Sequence, residues 1–169
     1  MNWLFSRRST EPEGTTLYAA IVGEMRRSDW YLAAAVPDSI DGRFAVLSSL
    51  LALTDIRLGR GGDEARALAP RLAERFIADM DVQMREAGFS DASLGKQVRM
   101  MVGSLASRVE RFQGAIDRDG DWNEAVLPSL YRDAPPDGPA AKEGSAMLRD
   151  WWERIKKISD ADLVKGQIQ

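Results

Sequence analysis

The sequence predicts an all-α fold, a single-domain bundle of about six helices with no sheet. Three observations predict it. Apolar residues recur every third or fourth position over long stretches, which is the helix period. Those stretches are bounded by helix caps and stops, among them Gly59-Arg-Gly-Gly62 and Gly88. No run alternates apolar and polar residues as a half-buried strand does, and no segment repeats internally.

Each helix has its own signal. Thr15 and Thr16 can cap a first helix reaching about Arg27, followed by Trp30 and Tyr31. Val36-Pro37 interrupts, because proline disfavours helix in the preceding residue. Asp38-Ser-Ile-Asp41 resembles a capping box that starts the next helix, with Asp41 in the usual Glu place. From Ile40 to Leu58 its apolar residues cover well over half of its surface, so it is expected to run through the core. Asp63 caps a helix reaching about Ala87, in which Leu68, Leu72, Phe76, Met80 and Met84 form one stripe and Pro70 is a kink or break point. After Gly88 a helix starts at Asp91 or Ser93 and reaches about Arg118. Leu94, Val98, Met101, Val102, Leu105, Val109, Phe112 and Ile116 share one face of it. A turn at 119–121 leads to a short helix, Trp122 to Tyr131, and Ala134-Pro-Pro-Asp-Gly-Pro139 is an open loop. A final amphipathic helix spans about Ala140 to Lys157. Residues 1–14 are expected to be a flexible leader, residues 15–158 the helical domain, and residues 159–169 a short, loose tail. The alternative for the leader is a membrane-surface anchor of Trp3, Leu4 and Phe5 beside Arg7 and Arg8.

Composition removes several function classes. The chain has 169 residues, a net charge of −3, no Cys and no His. Without Cys there is no disulfide, thiolate metal site or Cys nucleophile. Without His the usual general base near neutral pH and the commonest transition-metal ligand are gone. The acidic balance disfavours DNA as a partner. No apolar run approaches the roughly 20 residues of a membrane span.

Apparent catalytic motifs fail on spacing. Gly95-Lys96 lacks a preceding strand and is followed by Gln97 rather than Ser or Thr, so it is no phosphate loop. Asp117-Arg-Asp-Gly-Asp-Trp122 is no calcium loop, because its glycine comes too early and the closing acid position holds Pro128. There is no Glu-x-x-His, and with no His in the chain a Ser nucleophile has no obvious base. No catalytic residue, metal site, cofactor or small-molecule substrate is therefore assigned.

Asp79 and Asp81 look like a catalytic pair but lie about 160° apart around a helix that turns about 100° per residue. Asp81 is four before Arg85, an ordinary surface pair. Asp79 falls inside an apolar stripe, as Arg43 does on the earlier helix. A partly buried Arg43–Asp79 ion pair is the expectation, with Arg75 as the alternative partner of Asp79. The functional rival is that one of the two grips a bound group.

Several segments also carry a family likeness. They are Leu17-Tyr18, Val36-Pro-Asp-Ser-Ile-Asp-Gly-Arg-Phe44, Phe76-Ile-Ala-Asp-Met-Asp81, Met84-Arg-Glu-Ala-Gly88, Asp91 and Leu94-Gly-Lys-Gln-Val-Arg-Met100. In order and spacing they resemble the ubiquinol–cytochrome c chaperone family, over roughly Leu17 to Ile116. Phe89 stands where a smaller apolar residue is common, and Ser39 where Thr is common. The resemblance implies an all-helical, non-enzymatic assembly chaperone. It would bind newly made cytochrome b, support biogenesis of the bc1 complex, and have the ribosome or the membrane surface as further contacts. It also implies a bacterial, cytoplasmic protein, peripheral at the inner membrane if attached at all.

An apolar client calls for an adaptable apolar surface edged by charge, a setting that suits methionine. Met100 points among Lys96, Arg111 and Arg118, with Arg99 and Arg108 at the margins, which makes this face a candidate partner-binding surface. The plainer alternative is a solvated face with one incidental Met. Adjacent Trp151 and Trp152 cannot share a direction, so one is expected in the core and the other near the surface as a candidate interface anchor. The competing functions are a helical scaffold or regulatory module for a soluble partner, and an enzyme using Asp and Lys.

Overall fold

The computed structural model describes residues 14–118, 120–132 and 134–168. These form eight helical segments and no strand: α1 (Thr15–Met25), α2 (Asp29–Leu32), α3 (Ile40–Gly59), α4 (Asp63–Glu86), α5 (Asp91–Asp117), α6 (Trp122–Tyr131), α7 (Pro139–Ile155) and α8 (Asp160–Val164). The all-α single-domain reading holds, and α2 and α8 are the short additions to it. No described helix is long and apolar enough to cross a membrane.

α3 is the axis. It packs against α1, α4, α5, α6 and α7, and its Val46, Leu47, Leu50, Leu51, Leu53, Ile56 and Leu58 are all buried. A helix surrounded this completely must also hide its polar residues. Ser48, Ser49 and Thr54 are buried and donate back to Phe44 O (2.6 Å), Ala45 O (2.7 Å) and Leu50 O (2.8 Å) of the same helix, so no hydroxyl is stranded. α4 runs unbroken through Pro70 and buries the whole predicted stripe from Leu68 to Met84.

The small and polar residues at the entry to α3 have a purely steric explanation. The N-cap is Ser39 rather than Asp38, and its hydroxyl accepts from the Gly42 N–H at 3.2 Å. A Cβ on Gly42 would lie 1.9 Å from Pro37 O, so only glycine lets the 36–39 segment fold back on the helix. Gly42→Ala is expected to cost about 1–3 kcal/mol through this overlap, read as a lower urea midpoint at unchanged slope.

The expected loose tail is instead packed. Leu163 of α8 is fully buried. Asp160 accepts from the Gly62 N–H at the start of α4 (2.7 Å) and from Arg57 Nη2 (2.8 Å). That amide, and then Arg57, hold its carboxyl below the usual range. A five-residue helix with one buried residue is too short to show periodicity, which is why the sequence pattern did not reveal the docking.

Two more expectations are corrected here. Trp151 and Trp152 are both buried, the second only 6% exposed. α7 is covered on two sides. Trp151 Nε1 reaches Leu50 O and Thr54 Oγ1, each at 3.3 Å, while Arg60 lies over the Trp152 ring at 5.2 Å. Neither tryptophan presents an exposed ring. The Arg43–Asp79 pair is not made. Arg43 sits in the first turn of α3 with its side chain 60% exposed and pairs with Asp38 at 2.7 Å. Asp79 accepts from the Tyr18 hydroxyl at 2.7 Å and from Gln83 at 3.2 Å. A neutral donor thus satisfies the carboxylate that falls in the apolar stripe, and no cation is required there.

Candidate partner-binding surface

α4 and α5 form a helical hairpin closed by a Schellman motif. Gly88 takes φ +88°, its N–H donates to Arg85 O (3.0 Å), and the Phe89 N–H donates to Met84 O (3.1 Å). Arg85 ties the turn further. It donates to Asp81 at 2.9 Å and also pairs with Asp91 in the first turn of α5.

The two helices of this hairpin are covered very unequally. Five large apolar residues of α4 are buried, whereas along the 27 residues of α5 only Leu94 and Phe112 are buried apolar residues. Val98, Met101, Leu105, Val109 and Ile116, which belong to the predicted apolar face, are half-buried, and Val102 is 42% exposed. Val82 (52%), Phe89 (42%) and Met100 (58%) extend the exposed apolar surface along the hairpin. A groove of about 1000 Å³ runs between α4 and α5. Ile77, Val82, Leu94 and Val98 line its floor and walls, with Glu74, Asp81, Arg85, Asp91 and Arg99 on the rim. Single exposed apolar residues are ordinary, but a helix whose own apolar face stays half open beside a groove is a surface built for contact.

The predicted residues divide on this surface. Lys96, Arg99 and Met100 are exposed, Arg111 is half-buried, and Lys96, Met100 and Arg111 share one helical direction on α5. Arg108 does not belong with them as an open contact. It is 6% exposed and donates through Nη2 to Ser129 O of α6 at 2.8 Å and through Nη1 to Ser104, while lying 5.6 Å over the Phe44 ring. Its Nε is buried with no partner, and among the described residues no carboxylate pairs with it. Burial, reinforced by the positive charges of Arg111 and Arg132, pushes the Arg108 guanidinium down to about 10. The 3–5 segment lies outside the described residues.

The Val98–Leu105 part of the face is legible in the sequence as apolar, but not whether a neighbour covers it. One signal could have separated a covered face from an open one. The buried α3 is dense in Leu, whereas this half of α5 is Val and Met interspersed with Gly95 and Gly103, too little bulk to fill an interface with a neighbour. Among the described residues no three His, Cys, Asp or Glu side chains are placed to hold a metal ion.

A family model described as ubiquinol-cytochrome C chaperone matches residues 32–169. The crystal structure of the Cbp3 homolog from Brucella abortus is similar over 92% of this chain and 87% of that one, with 28% identity and a TM-score of 0.75. A search of curated proteins found no match.

Proposed function

We propose that this chain, which belongs to the ubiquinol–cytochrome C chaperone family, receives newly made cytochrome b on the half-open face of α5 and the groove it forms with α4. Membership makes it an assembly chaperone for ubiquinol–cytochrome c reductase, and the half-open face of α5 supports placing the client there. The observation that carries the reading is the unequal covering of the α4–α5 hairpin, with Val82 exposed in the groove and Val102 exposed further along α5. An unassembled membrane protein exposes apolar helices that must be kept from aggregating. A flexible, Met-bearing apolar strip with a charged rim can hold such a helix by its i, i+3 and i+4 residues. The charged rim also keeps the strip from pairing indiscriminately. The site of action is proposed as the cytoplasmic surface of the inner membrane, where the client is inserted.

The test is recovery of haem-free cytochrome b on the tagged chain. The double variant Val82→Glu/Val102→Glu alters only exposed positions, so its melting temperature is expected to move by a few degrees at most. Its recovery of cytochrome b is expected to fall by about tenfold or more, as at other desolvated contact centres. Unchanged recovery would remove α4–α5 as the client face. Capture of soluble partners, with normal reductase content in a deletion strain, would instead favour the scaffold reading.

A further inference from the structure

The α4–α5 groove has no occupant among the described residues, yet its floor is apolar and open to association whenever no client covers it. One segment of the same chain has the chemistry to cover it. Trp3-Leu4-Phe5 is followed by Ser6 and then by Arg7-Arg8. These residues lie outside the described ones, but the point at which the chain arrives from them is defined. Gly14 sits against α4, where a Cβ on it would lie 3.6 Å from the Arg71 Cβ. Arg71 is in line with Ala78 and Val82 of the groove, seven and eleven residues further along the helix. From Gly14, α1 runs along α4 in that same direction, since Tyr18 meets Asp79 at 2.7 Å. Gly14 itself takes φ +86°, which suits a chain that reverses there. A segment folded back at Gly14 runs along α4 toward the groove.

We infer that residues 3–8 occupy the α4–α5 groove while no client is bound; that they stand in for the client there rests on the client reading above. Order and reach both fit. Going back from Gly14, the two arginines come first and the apolar triplet last. Going along α4 from Arg71, Glu74 comes first, then Ile77 and Val82. Glu74 makes no ion pair among the described residues, whereas Asp81 and Asp91 are both engaged by Arg85, so Glu74 is the acid left for Arg7 or Arg8. Along the helix axis Glu74 is about 4.5 Å and Val82 about 16 Å from Arg71. The six residues from Gly14 back to Arg8 span up to about 20 Å, and the nine back to Phe5 up to about 30 Å. The surplus accommodates the turn. An anionic membrane is the rival occupant for Trp3-Leu4-Phe5, but the position of Gly14 and the matching order of charge and apolar residues favour the groove. A tethered segment competes at an effective concentration of the order of millimolar, so weak contacts suffice to shield the floor until a client helix displaces it.

The chain has no Cys, so an introduced pair supplies the only thiols. Ser6→Cys leaves the triplet and both arginines in place. It is combined either with Val82→Cys, in the groove and 52% exposed, or with Met100→Cys, outside the groove and 58% exposed. Dilute protein is equilibrated in a glutathione redox buffer. The expected result is an intramolecular disulfide at position 82 in about tenfold or greater excess over position 100. Arg7→Glu/Arg8→Glu, or Trp3→Ser/Leu4→Ser/Phe5→Ser, is expected to bring position 82 down to the level of position 100. Equal yields at the two positions overturn the inference. So does a disulfide at position 82 that forms only between chains, which would assign the groove to a second copy. So does binding to vesicles of phosphatidylcholine and phosphatidylglycerol that the triple Ser variant abolishes, if position 82 shows no excess; the segment is then a lipid anchor. The client is measured separately. Deleting residues 2–8 is expected to raise cytochrome b recovery on limiting chain about threefold or more, because an occupied site lowers the apparent affinity. Excess disulfide at position 82 with unchanged recovery leaves the docking standing and removes the groove as the client site. Raised recovery without that excess keeps the client site and overturns the docking. A fall in recovery makes the segment part of the grip on the client and overturns its role as a stand-in.

Discussion

Trp151→Ala is expected to lower the unfolding free energy by about 3–5 kcal/mol, enough to remove much of the margin of a domain this size. The ring is 1% exposed, and its Nε1–H lies 3.3 Å from both Leu50 O and Thr54 Oγ1 on the axial helix. Alanine would leave a cavity where α7 meets α3, and neither helix can move inward without breaking its contacts with the other neighbours of α3. Trp151→Phe retains most of the bulk and loses only the N–H. Its expected cost is about 1 kcal/mol, because Thr54 continues to donate to Leu50 O at 2.8 Å. Urea unfolding followed by far-ultraviolet circular dichroism separates the two. An alanine variant within about 1 kcal/mol of the wild type would refute the assignment of α7 as a principal clamp on α3.

Phe112→Ala is expected to cost a similar 3–5 kcal/mol, with a different distribution. Phe112 is fully buried and lies 6.2 Å from the Trp122 ring, whereas most of α5 N-terminal to it is only half-covered. Its loss removes the main apolar anchor of that helix. Amide hydrogen exchange should therefore show α5 opening before α3, whose protection is set by neighbours on every side. Met100→Ala, at an exposed position on the same helix, should stay within about 0.5 kcal/mol. Equal effects of the two changes would contradict the unequal covering of α5.

The sequence reading succeeded where a pattern is long and failed where a decision depends on what lies opposite. The α4 stripe and the axial position of α3 were legible because periodicity over twenty or more residues averages out local ambiguity. Periodicity marks a face as apolar, yet carries no information on whether a second element covers it. Val98 and Val102 therefore share one predicted face with Phe112, although Phe112 is buried while Val98 is half-buried and Val102 exposed. The two tryptophans were separated for the converse reason. Adjacent residues do point differently, but α7 has neighbours on both sides, with Arg60 over Trp152 and α3 against Trp151. For Arg43 and Asp79, helical angle gave the direction of each side chain but not its depth. Arg43 lies at an exposed helix start, and Asp79 meets the Tyr18 hydroxyl. Arg108 was grouped with the surface cations because charge suggests exposure, and only tertiary packing shows a guanidinium sealed beneath Phe44 and Ser129.

The ties that close the core have a kinetic consequence. Trp151 and Leu50 are 101 residues apart in the chain, Arg57 and Ile158 also 101, and Tyr131 and Ala34 97. Loops of that length are slow to close compared with neighbouring helices meeting across a tight turn. The α4–α5 hairpin needs only its Gly88 turn, so it can form while the rest of the chain is still being synthesised. α3 has to wait for α7. The face proposed to hold the client is thus assembled early and without its foundation, and the emerging chain must keep its own sticky helix apart from its own unfinished core. The charged rim of the groove, described above as a guard against wrong partners, guards first against the protein itself.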